Sequence, residues 1–413
     1  MTHRRALSIR ALSILASLGL VTSGAAAAAA PAQADPPLDE VLFVANNWDG
    51  TASVLSSGPD LTPVGEVDVI PDRAQRMREI YRDPIRLAAF LVIRETVGEG
   101  HDQFADDMYT TPDGSSLVVS RPSFADVVSI SLTTGEVEWR FPVSGLRADH
   151  MAVSPDGTQV AVSASTGNRV HVLDIETGAE AGSFPTGDKP HENIYTADGL
   201  IWNMSIGEVN NGLDDPALDF LKGDRVITVA DAETFEVVRE IDMRDRLDDA
   251  GLDHLSDAVR PATFSPDESK LYFQVSYFGG FLEYDVATDR ITRVTTLPRV
   301  FDGRRSEMVN DSRHHGLTMQ PTGEHLCVAG TMDDYAVVVD RSTLEEGPLV
   351  DVDKPYWSTV TGDGEACVVS ESGADQVTSI DFGTGQRITS VPVGDHPQRV
   401  RLGTVPAGWS GVG

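Results

Sequence analysis

A Pro-Asp-Gly turn followed by an apolar strand, a polar turn, a strand ending in Asp or Ser, a Thr-Gly turn and one more strand recurs every 40 to 60 residues. A repeat of this length is the strongest constraint on what the chain can become. The clearest copy is MAVSPDGTQVAVSASTGNRVHVLDIETGAEAGSFPTG, beginning at Met151, and others begin at Met108, Ala262 and Val360. Degenerate copies begin at Ile194 and Leu317. Each unit reads as four short strands rich in Val, Ile and aromatics, joined by Gly, Asp, Ser and Thr turns. A single four-stranded meander cannot bury its two apolar faces, so the units must pack face to face in a ring. The fold class is therefore all-β, a β-propeller of four-stranded antiparallel blades.

The ends of the chain give the blade count. EVLFVANNWDGTASVLSSGPDLTPVGEVDVI, from Glu40, supplies three strands of a blade and lacks the first. The segment from Gly394, GDHPQRVRLGTV, has the same opening pattern as GDKPHENIYTA at Gly187 and supplies the missing strand. Six complete units and one shared unit make seven blades, closed by the C-terminal strand pairing into the N-terminal blade, with no open sheet edge at the closure. The units resemble the YVTN repeats of YncE-like seven-bladed propellers, most clearly in SPDGTQVAVSASTGNRVHVLDIETG, and the resemblance covers nearly all of residues 40–405. It implies the same fold. It leaves function open, since similar propellers include lyases, lactonase-like enzymes, oxidoreductase subunits and binding scaffolds.

Residues 1–34 have the build of an export signal: Arg4, Arg5 and Arg10, an apolar run from Ala11 to Val21, and small residues ending Ala32-Gln33-Ala34. The Arg pair fits a twin-arginine signal, and a Sec signal equally well, so the expected location is extracytoplasmic by either route. Cleavage would leave a single domain over residues 35–413, and no later segment reaches the roughly 20 apolar residues that a membrane helix needs. Losing three Arg and no acid moves the formal charge from −32 to −35. Such a balance excludes a general nucleic-acid binder, which needs clustered Lys and Arg. Cys327 and Cys367 are either a single disulfide or two buried thiols; they lie on matching second strands of adjacent blades with opposite parity, the placement an interblade disulfide requires.

Aligning the blades on the turn Asp gives a register for the innermost strands. Seven residues before it stand Asp106, Asp149, His191, Arg260, His315, Tyr356 and Gln398; six before it stand Asp107, His150, Glu192, Pro261, Gly316, Trp357 and Arg399. These side chains converge on the mouth of the central channel, with His101, Asp102, His314 and His396 as outer candidates. Three chemistries fit. His150, His191, His315 and Glu192, or Asp149, can hold a divalent metal. Alternatively a His or Tyr356 abstracts a proton while Arg260 or Arg399 neutralises a carboxylate or enolate, as elimination or lactone opening requires. In the third, Asp106, Asp107, Asp149, Glu192, Gln398, Tyr356 and Trp357 form a binding surface for a small molecule or glycan. Lyase, hydrolase or oxidase chemistry and a non-catalytic scaffold both remain open.

Three insertions, near residues 71–97, 207–223 and 244–258, break the repeat and carry helical or acidic character. His171, His254 and His325 read as structural or surface residues, and Trp48, Trp139 and Trp202 as packing between blades. No nucleophile elbow, phosphate-binding loop or haem-attachment motif occurs in the sequence.

Overall fold

The computed structural model describes residues 37–209 and 216–412, so the expected export signal lies outside the described residues. β1 (Leu38–Asn46), β2 (Thr51–Ser56) and β3 (Pro63–Asp68) form a sheet with the last strand, β28 (Pro397–Pro406), in the order β28-β1-β2-β3. Six further sheets each take four consecutive strands. Their inner strands are β4 (Met108–Thr110), β8 (Ala148–Val153), β12 (Pro190–Tyr195), β16 (Val259–Phe264), β20 (Leu317–Met319) and β24 (Pro355–Val360). All pairings are antiparallel, and β28 runs against β1 from Pro397 to Pro406, which closes the seven-bladed ring as expected.

Local side-chain chemistry sets the turns. In five blades the Ser or Thr two residues before the turn Asp donates its hydroxyl to that Asp: Thr111, Ser154, Thr196, Ser265 and Thr361. At the next turn Asp174, Asp231, Asp285, Asp340 and Asp381 each accept from the backbone N–H and hydroxyl of a Thr three residues on. These local bonds offer the backbone a turn in place of a continued strand.

The core is divided among the blade interfaces. Leu117 and Val119 of β5 (Ser116–Arg121) pack with blade one, whereas Val118 between them packs with blade three. Leu271 and Phe273 likewise face blade four while Tyr272 faces blade six. Strand alternation thus welds each sheet to both neighbours. Cys327 and Cys367 follow the same rule: each is fully buried at the interface of blades six and seven, where they form a disulfide with Cα atoms 6.2 Å apart.

The first insertion folds as α1 (Arg73–Arg82) and α2 (Pro84–Thr96). Pro84 opens α2, and the Asp83 carboxylate accepts from the N–H groups of Ile85 and Arg86. Ile80 and Phe90 anchor the pair to the core of blades one and two, and Arg121, fully buried, joins Asp72 to Asp126. The third insertion contains α3 (Met243–Asp249), and the described part of the second ends in a 3-10 segment, Pro216–Lys222. A further irregular stretch, residues 298–316, precedes β20 and holds two short 3-10 turns that the repeat pattern does not foretell. No described helix is long and apolar enough to cross a membrane.

Candidate functional site

The inner strands do not run straight past the channel. In blade two Asp106 and Asp107 together stand opposite Ser120, and in blade six His315 and Gly316 stand opposite Ala329. The register slips at the same place in the other five, between Ala148 and Met151, Pro190 and Asn193, Val259 and Ala262, Pro355 and Trp357, and Pro397 and Val400. A bulge of this kind breaks the alternation and re-aims its side chains. The two layers of residues aligned from the sequence are therefore seven bulges. Gly316 has no room for more, because a Cβ there would lie 2.7 Å from that of Ala329 and 2.9 Å from the Ser358 nitrogen.

Six of the leading residues, Asp106, Asp149, His191, Arg260, Tyr356 and Gln398, line one chamber of about 290 Å³ together with His150. Ala89, Val92 and Ile93 of α2 line the same chamber, so the first insertion covers the mouth. Glu192 and Trp357, from the second layer, instead line a hollow of about 260 Å³ at the other end, with Arg401. His150 and His191 line the chamber, and His315 packs against His191 and Tyr356 just behind its wall.

These three histidines are buried and in mutual contact. The His150 and His191 ring centroids are 3.6 Å apart, and those of His191 and His315 are 5.3 Å apart. Their candidate ligand nitrogens all fall within 4.8 Å of one another. His315 Nδ1 donates to the Tyr356 carbonyl at 3.2 Å, which leaves Nε2 as a bare lone pair 3.4 Å from His191 Nε2. His150 Nδ1 meets the Glu192 carboxylate at 2.9 Å. Burial, assisted by Arg399 and neighbouring imidazoles, holds His150 well below its ordinary pKa; burial and the nearby His315 and Arg260 do the same for His191. His315 is kept low by burial and by Arg399 and Arg260. Each imidazole is thereby held in its neutral, metal-binding form, and the Arg399 guanidinium, which abuts both His150 nitrogens, must give way for that ring to bind a cation.

A second group, Asp106, Asp149 and His150, shares one histidine with the first and has the same spacing. Burial, with repulsion from Asp149, pushes the Asp106 carboxyl up to about 7, and burial raises Glu192 to about 7. Both groups are thus sets that can hold a metal ion, one rich in nitrogen and one in oxygen.

Several expectations need correction. Glu192 orients His150 through Nδ1 and does not belong to either ligand group. Asp107 is wholly committed to structure: its carboxylate binds Arg401 at 2.7 and 2.8 Å and accepts the Met151 N–H, tying blades one, two and three. Trp357 does not face the chamber, since the Arg399 guanidinium covers its ring at 3.6 Å and Arg401 lies 4.9 Å away. Arg399 also abuts His150 and stands 3.8 Å from Glu192. Burial raises the Tyr356 phenol to about 12, so it stays protonated at neutral pH, able to donate a hydrogen bond but not to serve as the proton-abstracting base. None of the four outer candidates lines the chamber. His101 and His396 stack on opposite faces of Trp48 at 3.8 and 3.7 Å, Asp102 pairs with Arg94, and His314 is held by Asp333.

Sequence reasoning missed Arg147, which lines the chamber beside Asp149, and Arg401. Arg401 was within reach, because it follows Arg399 by two residues and shares its strand face. Asn310 also lines the chamber, from the irregular stretch before β20, and no pattern marked it.

Fold and channel define the protein's class as a seven-bladed β-propeller with a capped, histidine-bearing chamber. No protein-family model matches the sequence, and no curated protein matches it either. Among solved structures, the chain is similar to Kuenenia stuttgartiensis hydrazine synthase with a TM-score of 0.53 and 17% identity, over 71% of this chain and 88% of that one. At that identity the likeness speaks for the fold alone.

Proposed function

We propose that the chamber is a metal-dependent site for a small molecule, with His150, His191 and His315 as the ligands. One observation carries this reading: two bare or exchangeable imidazole nitrogens, His191 Nε2 and His315 Nε2, face each other at 3.4 Å. That is long for an N–H···N hydrogen bond. It equals the ligand-to-ligand edge of a tetrahedral site, about 3.4 Å for metal–nitrogen bonds of about 2.0–2.1 Å. The backbone carbonyl on His315 and the carboxylate on His150 are the outer-shell partners that ligating histidines take. Three protein ligands leave a coordination position toward the chamber, the arrangement of catalytic rather than structural sites. Tyr356, which lines the same chamber, would offer a bound molecule a neutral phenol as hydrogen-bond donor.

Elemental analysis of protein taken from its native compartment tests the reading. About one equivalent of zinc, copper or iron is expected, and His191→Ala and His315→Ala should each abolish it. A metal-free protein, or variants that keep the metal, would refute it.

The export-type N-terminus and the buried disulfide support an extracytoplasmic location, since structural disulfides persist in oxidising compartments. Replacing Arg4 and Arg5 by Lys should stop export if the route is twin-arginine and leave it intact if the route is Sec. The repeat units support placing the chain among YncE-like propellers.

A further inference from the structure

Arg260 is 1% exposed and reaches the chamber from β16. Its guanidinium donates to the Ser276 hydroxyl at 2.9 Å and to the Asn310 carbonyl. No carboxylate lies within ion-pair distance of it among the described residues. The acids that act on it most, Asp311 and Asp149, are already engaged, Asp311 by Lys222 at 2.5 Å and Asp149 by Arg147 at 3.4 Å. Lys189, which lines the chamber, is also paired, with Glu208 at 3.1 Å. A buried cation without a counter-ion is costly, and proteins keep one where something else supplies the charge. Arg260 stands close enough to His191, His315 and Tyr356 to act on all three electrostatically.

Part of the chamber wall has another character. Ala89, Val92, Ile93 and Val97, with Leu146 and Ile206, give the chamber an apolar side, and its volume of about 290 Å³ fits a small molecule rather than a polymer.

We propose that Arg260 is the counter-charge for the chamber's ligand, a small monocarboxylate whose oxygens sit between Arg260 and the three histidines and whose apolar part lies against α2. This rests on the chamber being the ligand site argued above. Arg260 and Arg399 thereby separate in role: Arg399 is occupied by Glu192 and Trp357, and Arg260 is the anion anchor.

Calorimetric titration with sodium butyrate, n-butylamine and inorganic phosphate tests the assignment, on protein as purified and on protein loaded with zinc. Butyrate should bind saturably and butylamine should not. Arg260→Gln should weaken butyrate by about tenfold or more, as expected for a charge-assisted contact, while the protein melts no lower than wild type, because a buried unpaired charge has been removed. Val92→Asp, at a position 60% exposed and safe for folding, should also weaken butyrate by introducing a like charge beside the tail. The proposal is overturned if butyrate fails to bind, if phosphate binds in its place, or if Arg260→Gln binds butyrate as wild type does. Loss of fold in Arg260→Gln with unchanged butyrate binding by Val92→Asp overturns it too, since Arg260 would then be structural. Metal content is read separately, so the three-histidine site can fail while the butyrate results stand, and the reverse.

Discussion

The Cys327–Cys367 disulfide joins the second strands of blades six and seven across a sequence separation of 40 residues, and both cysteines are fully buried. Reducing it under denaturing conditions and refolding in reductant keeps every sulfur atom and removes only the cross-link. For a loop of that length the chain-entropy relation gives about 13 cal/mol/K, or about 4 kcal/mol at 25 °C. A propeller of about 380 residues unfolds with an entropy near 0.8 kcal/mol/K, at about 2.1 cal/mol/K per residue, so the midpoint should fall by about 5 °C. Scanning calorimetry with and without reductant measures the difference, with thiol titration confirming two free sulfhydryls. The double variant Cys327→Ala, Cys367→Ala should lose more than the reduced protein, because it also leaves cavities in the core between the two blades. A reduced protein that melts within a degree of the oxidised one would refute the loop-entropy reasoning and place the strength of that interface in its apolar contacts alone.

Other outcomes follow from the structure. Deleting residues 397–413 removes β28, leaves β1 unpaired on its channel side and should lower the melting temperature steeply and broaden the transition, since the ring is then open. Asp107→Asn should cost about 3–5 kcal/mol in urea unfolding by stranding Arg401, yet leave metal uptake unchanged. Although burial pushes Glu283 up, hydrogen bonds from Arg293, Thr292 and Tyr272 win and hold it at about 2. Its folded value is depressed, so its stabilisation is present above about 4.5 and is lost as pH falls toward 2. The stability gap between wild type and Glu283→Gln should accordingly be about 2–3 kcal/mol at pH 7 and shrink toward zero by pH 2.

The repeat made the fold legible because each blade repeats one turn chemistry, and the Thr hydroxyls on Asp174, Asp231 and Asp285 are that chemistry at work. Ring positions such as His150, His191 and His315 could be aligned for the same reason. What the alignment could not show was partnership. Asp107 and Asp106 are neighbours in one bulge, but Asp107 is consumed by Arg401 on β28, nearly three hundred residues away in sequence. Trp357 sits one residue from Tyr356 and faces the other end of the channel. Asn310 and the wall of α2 come from insertions, where no repeat supplies a register. Charge pairing across blades decides which ring residues remain available, and it has no sequence period.

The seven bulges have a consequence for how such a channel can change. A regular inner strand would offer the axis one side chain per blade at a given height; two-for-one pairing offers two, fourteen positions in all, of which Gly316, hemmed in by Ala329 and Ser358, and Asp107, bound to Arg401, are fixed by structure. Apart from Trp357, none of the fourteen belongs to the apolar clusters that weld blade to blade. Apolar cohesion and channel chemistry therefore draw on mostly different residues, with Asp107 the exception that ties blades, and a lineage could exchange most channel residues while the wheel that carries them stays whole.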